Sequence, residues 1–170
     1  DYLVKAQDKE GCFGTRAFQQ YIYNHAFATL AMVEAYGATG EPAYLASLHK
    51  ALAFIELARN PYLAWRYGIR PGENDTSVTG WCVHALFSGK RAGLEIDPDA
   101  FEGARAWFDK VTDPATGRTG YNMPGGQSAR PQELTDAFPG EKTEAMTASA
   151  ILGRILLGED PQKSAMVRKG

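Results

Sequence analysis

Gly37-Ala38-Thr39-Gly40-Glu41-Pro42 separates two stretches with different apolar patterns, and that contrast decides the fold. Upstream, residues 22–36 are apolar almost all round, as in a helix buried on most sides. Downstream, Leu45, Leu48, Leu52 and Ile55 step by three, four and three residues, with His49, Lys50 and Glu56 opposite them. That spacing is the stripe of a helix with one wet face. Proline at the first helical position loses no hydrogen bond, and the acid beside it faces the helix's positive end. A glycine at Gly37 lets the preceding helix stop.

The same arrangement recurs. Asp97-Pro98 and Asp160-Pro161 are two further acid–proline pairs, each expected to open a helix. Phe101, Ala104, Phe108 and Val111 repeat the stripe at an offset of 56 residues. Val78–Phe87 and Ala145–Leu157 are apolar like residues 22–36, and Gly93 and Gly158 follow them. The unit is a buried helix, a tight turn, a half-exposed helix and a longer return loop, with a period of about 55 residues. Helices are therefore expected near 22–36, 42–58, 76–92, 98–111 and 144–157, the inner ones more buried than the outer. The reading is an all-α fold of stacked helical hairpins. It forms one domain over residues 1–170, with repeats of approximately 1–58, 59–111 and 112–170.

Bulk composition narrows the function classes. A net charge of −2 and a pI near 5.9, with no lysine/arginine cluster, give no reason to expect nucleic acid or an anionic membrane as partner. No apolar run approaches the roughly 18 residues of a membrane span. Cys12 and Cys82 sit in apolar settings and read as small core residues rather than a disulfide framework. The chain opens inside a helical pattern at Tyr2 and closes just after Asp160-Pro161. It reads as a piece of a longer chain, and the compartment stays undecided.

The return loops carry a family clue. Leu3, Gln7, Gly11 and Phe13 reproduce the order of a QW motif, with phenylalanine in the tryptophan position. Weaker copies run through Phe54, Arg59 and Trp65, and through Phe108, Gly120 and Tyr121; the aromatics recur after 52 and 56 residues, in phase with the hairpins. In these features the chain resembles the squalene-cyclase and protein-prenyltransferase superfamily. The resemblance implies a partial α/α toroid. In each motif the ring would pack against a helix end while the glutamine amide ties loop to helix backbone.

Gly72-Glu73-Asn74-Asp75-Thr76-Ser77 resembles the Asp-x-Asp-Asp-Thr-Ala motif of squalene-hopene cyclases. Gly72 stands in place of its first aspartate and Asn74 in place of the proton donor, while Asp75 and Thr76 are retained. An asparagine is no strong acid, which leaves Asp75 and Glu73 as the candidate catalytic carboxyls. Asp75 also directly precedes a buried helix and so reads as its N-cap. A prenyltransferase-like zinc site would need Asp, Cys and His ligands, but no metal spacing emerges: Cys82 and His84 point to different sides of one helix, His49 lies on a wet face, and His25 reads as a satisfied core histidine. No motif requires a cofactor.

Three function classes remain. The first is a binding module, with Tyr23, Trp65, Tyr67, Trp81 and Tyr121 lining a concave aromatic surface for an apolar small molecule, a peptide or a glycan. A terpene-cyclase-like isomerase, with Glu73 or Asp75 as acid and aromatic rings steadying a cation, is the second. The third is a carbohydrate-active α/α-barrel enzyme, which needs a distant second carboxylate such as Glu133 or Asp136 in the long loop from Thr112 to Lys142.

Overall fold

Acidic caps and apolar stripes set the starts of the helices at Leu45, Thr76 and Pro98. A computed structural model describes residues 2–126, 132–139 and 144–170. Its helices are α1 (Tyr2–Ala6), α2 (Tyr21–Thr39), α3 (Leu45–Ala58), α4 (Thr76–Arg91), α5 (Pro98–Val111), α6 (Gln132–Thr135), α7 (Ala145–Leu156) and α8 (Ala165–Lys169), with a 3-10 turn at Pro42–Tyr44. The described residues contain no strand, only isolated bridges at Gln7–Phe13 and Thr112–Thr119. Among them no helix is long and apolar enough to cross a membrane.

The caps explain the boundaries. The Asp75 side chain accepts from the Val78 N–H, Asp97 from Asp99 and Glu41 from Ala43, each satisfying an end donor that the helix itself cannot pair. Two expectations are corrected. First, α2 runs through Gly37 and stops at Gly40, whose φ of 65° lets its N–H reach the Tyr36 carbonyl. Second, Asp160-Pro161 opens only a turn, closed by Lys163 and Ser164 N–H groups on the Asp160 carbonyl. There α8 begins later, because the Ser164 hydroxyl caps Val167.

The long helices pack as hairpins. His25 meets Ala51 and Tyr21 meets Phe54, so α3 runs back along α2; Lys90 lies over Phe101, so α5 runs back along α4. Tyr23 reaches Ser77 and Phe27 packs on Trp81, which sets α2 and α4 side by side and parallel. Gly80 faces Ser149, and Phe87 shares a groove with Leu156, which sets α7 parallel on the other side of α4. The core lies between this row and the outer α3 and α5, with Leu48, Ile55, Val83, Leu86 and Phe108 fully buried.

The expected burial order holds only for the middle of the row. Nine of the 16 residues of α4 are buried, against seven of 14 in α3 and in α5, but only four of 12 in α7. The reason is position: α4 is flanked on both sides, while α2 and α7 are edges of the row. Phe27 and Leu152 keep 43% and 46% of their surface.

Two loops are tied back to helices by their side chains. The Gln7 amide donates to the Gly11 and Ser47 carbonyls at 2.9 Å, and the Ser47 hydroxyl returns a bond to Gln7. Phe13 is buried beside it, worth about 2–3 kcal/mol. Trp65 is also fully buried, its indole N–H donating to the Ile55 carbonyl at 2.7 Å.

Candidate functional site

The return loop from Arg59 to Asp75 is built around two asparagines. Asn60 is 4% exposed; its amide donates to the Glu73 carbonyl and to Asn74 Oδ1, and its own oxygen accepts from the Gly72 N–H. Asn74 Oδ1 also accepts from the Ala64 N–H at 3.0 Å. Asn74 is thus spent on holding the loop. That clamp delivers Asp75 to the N-terminus of α4, where its N–H also binds the Trp65 carbonyl.

Asp75 is fully buried, with Oδ1 accepting from Val78 at 2.7 Å. Oδ2 is buried without a hydrogen bond of good geometry, although the Tyr121 side chain lies close enough to favour the carboxylate. Burial dominates and pushes the Asp75 carboxyl up from 3.8 to about 6; the Val78 N–H, Tyr121 and Arg66 oppose it. This group holds or releases a proton near neutrality, which an ordinary aspartate does not do.

Three of the five expected aromatic residues gather here. The Tyr67 and Tyr121 hydroxyls are 2.6 Å apart, and the Tyr23 ring lies 6.1 Å from that of Tyr67. Burial raises the Tyr23 and Tyr121 hydroxyls above the usual phenol range, so both stay protonated. Tyr121 is carried on the loop after α5, which is pinned to α4 by the Thr76 N–H on the Tyr121 carbonyl and the Thr76 hydroxyl on Gly120. Tyr23 and Tyr67 are half-buried, so the cluster runs from the sealed carboxyl toward the surface.

The other candidates fall elsewhere. Trp65 is a core residue with no exposed surface, so a ligand-lining role does not hold for it. Trp81 stands one turn into α4, 4.3 Å from the Phe27 ring, with His84 stacked at 6.1 Å, in a recess shared with Ser149 and Leu152. Glu73 is exposed and ion-paired with Arg66 rather than facing Asp75. Glu133 and Asp136 are exposed, and residues 127–131 and 140–143 of their loop lie outside the described residues.

Some contributors were not legible beforehand. Arg66 lies over the Tyr67 and Tyr121 rings at 5.5 and 5.8 Å, and Ser77 beside Tyr23. A cation between Trp65 and Tyr67 in sequence was the available signal for the first; nothing marked the Asn60–Asn74 clamp. His25 is a core residue as expected. Its Nδ1 accepts from the Phe13 N–H, and burial lowers it to about 4. Cys12 and Cys82 are buried thiols raised by desolvation, Cys12 to about 11. Among the described residues no group of three or more His, Cys, Asp or Glu is placed to hold a metal.

Compared with protein-family models, with curated proteins and with solved structures, the chain matches none.

Proposed function

We propose that the chain is an arc of an α/α toroid and that the open face of its α2–α4–α7 row binds an apolar small molecule. The observation that carries this reading is the exposure of Phe27 and Leu152 beside Trp81 across three parallel helices. A solvated helix row places polar residues there, and a patch of large apolar groups marks a contact surface. Tyr23 and Tyr67 supply hydroxyls at one end of that face for a polar end of the ligand. Saturable farnesol binding in calorimetric titration, lost in Trp81→Ala and retained in an exposed variant such as Tyr62→Ala, is the expected result. An unchanged response in Trp81→Ala refutes the site.

A second reading rests on Asp75. A buried carboxyl raised to about 6, beside paired tyrosine hydroxyls, suits an acid that protonates an apolar substrate. Tyr121 and Tyr67 would pass the proton from the sealed carboxyl to the face. Product formation from isoprenoid substrates by the wild-type chain, abolished in Asp75→Asn and slowed in Tyr67→Phe, would establish it. Equal turnover in Asp75→Asn would remove it.

A further inference from the structure

At the other end of α4 from Asp75, a groove of about 350 Å³ opens between α4, α5 and α7. Its floor is apolar, from Phe87, Phe101 and Leu156, and its rim carries Lys90, Arg91 and Arg105 with no carboxylate lining it. Among the described residues two of these cations have no carboxylate partner, and Arg105 has one. The Lys90 ammonium lies 5.3 Å from the Phe101 ring centroid, over the groove floor. Arg105 is held in place by the Leu157 carbonyl and by Glu102. Neither Lys90 nor Arg91 makes an ion pair among the described residues. Both stand in the last turn of α4, whose partial negative charge they offset, but that role does not require an apolar floor between them.

We propose that this groove binds a free single-chain amphiphile with a carboxylate head, the chain on Phe87, Phe101 and Leu156 and the head among Lys90, Arg91 and Arg105. The volume lies at the small end of ligand sites, which suits one alkyl chain. Charge complementarity selects the anion, because among the described residues the rim carries two cations without ion pairs and a third shared with Glu102. The surrounding surface excludes a flat anionic membrane as the source. Glu95, Asp97, Asp99 and Glu102 are exposed on the adjoining stretch and would repel it.

Calorimetric titration with dodecanoate tests the assignment, with dodecan-1-ol as the neutral arm and thermal unfolding as the control for folding. Dodecanoate should bind saturably, at least about tenfold more tightly than the alcohol, and the double variant Lys90→Glu/Arg91→Glu should lose at least about tenfold in affinity. If that variant unfolds, the single exposed change Arg91→Gln should still weaken dodecanoate and leave dodecan-1-ol unchanged. No binding, equal affinity for the alcohol, or indifference to the charge changes overturns the proposal. So does loss of dodecanoate binding in Trp81→Ala with retention in the charge variants, which would move the ligand to the α2–α4–α7 face. Farnesol binding at Trp81 can stand or fall without affecting this result.

Discussion

The Phe13 N–H is donated to Nδ1 of His25 at 3.0 Å, which leaves the ring proton on Nε2, pointed at the Ala51 carbonyl 3.0 Å away. One neutral imidazole therefore joins the first loop to α2 and α3. His25→Leu keeps the volume roughly but leaves the buried Phe13 N–H unpaired and removes one of two donors from the Ala51 carbonyl, which keeps its bond within α3. The expected loss is about 1–3 kcal/mol in urea unfolding. A loss under about 1 kcal/mol would mean that the bridge contributes little.

His25 and Asp75 oppose each other in their dependence on pH. Neutral His25 is held down to about 4, below its ordinary 6.5, so the unfolded chain binds the extra proton between those values and stability falls as pH drops. Asp75 is held up to about 6 from 3.8, so the folded chain binds the extra proton and stability falls as pH rises through the same window. Each shift corresponds to something on the order of 3 kcal/mol, and the two largely cancel. Asp75→Asn keeps an N-cap and removes one side of the balance. Relative to wild type, the variant should gain stability as pH rises from about 4 to 6, measured by denaturant midpoints at several pH values. A parallel pair of pH profiles would show that Asp75 titrates in its ordinary range.

Asn60 should matter more than its polar character suggests. It makes three hydrogen bonds that hold Gly72, Glu73 and Asn74 in place before the cap. Asn60→Ala removes the partner of the Gly72 N–H and the Glu73 carbonyl and one of two donors to Asn74 Oδ1, at a site that is 4% exposed, and the expected cost is about 1–3 kcal/mol. The loop also aims Asp75. Amide hydrogen exchange at Trp65 and Asp75 should therefore accelerate by more than in α7. Uniform acceleration would mean that the clamp supports the fold without positioning the site.

The helices were legible because their signals are local. The stripe from Leu45 to Ile55 and the acids Glu41 and Asp97 act within one turn of themselves, and α3 and α5 lie where those residues placed them. At Asp160 the same signal lost to Ser164, a competing cap four residues on. The site was legible only in part, because it depends on distance across the chain. Asp75, Tyr23, Tyr67 and Tyr121 could be named, but their meeting needs Tyr121, 46 residues from Asp75, pinned over α4 by Thr76. Trp65 and Trp81 are alike as letters. One fills the core and the other lies beside Phe27, because the return loop turns inward and the helix face outward.

Two mid-helix glycines give opposite forecasts from the same chemistry. Replacing a helical glycine by alanine is worth up to about 1 kcal/mol in propensity where space allows. At Gly80 in α4 the added Cβ would meet Ser149 Cβ at 3.7 Å, an ordinary contact, so Gly80→Ala should stabilise by about 0.5–1 kcal/mol. At Gly153 in α7 the Cβ would lie 2.6 Å from two atoms of the Phe108 ring. That ring is fully buried and can yield only by displacing the core, at a cost of about 1–3 kcal/mol that outweighs the propensity gain. Gly153→Ala should therefore lower the unfolding midpoint while Gly80→Ala raises it. If both raise it, α7 does not pack on α5 as closely as these contacts require.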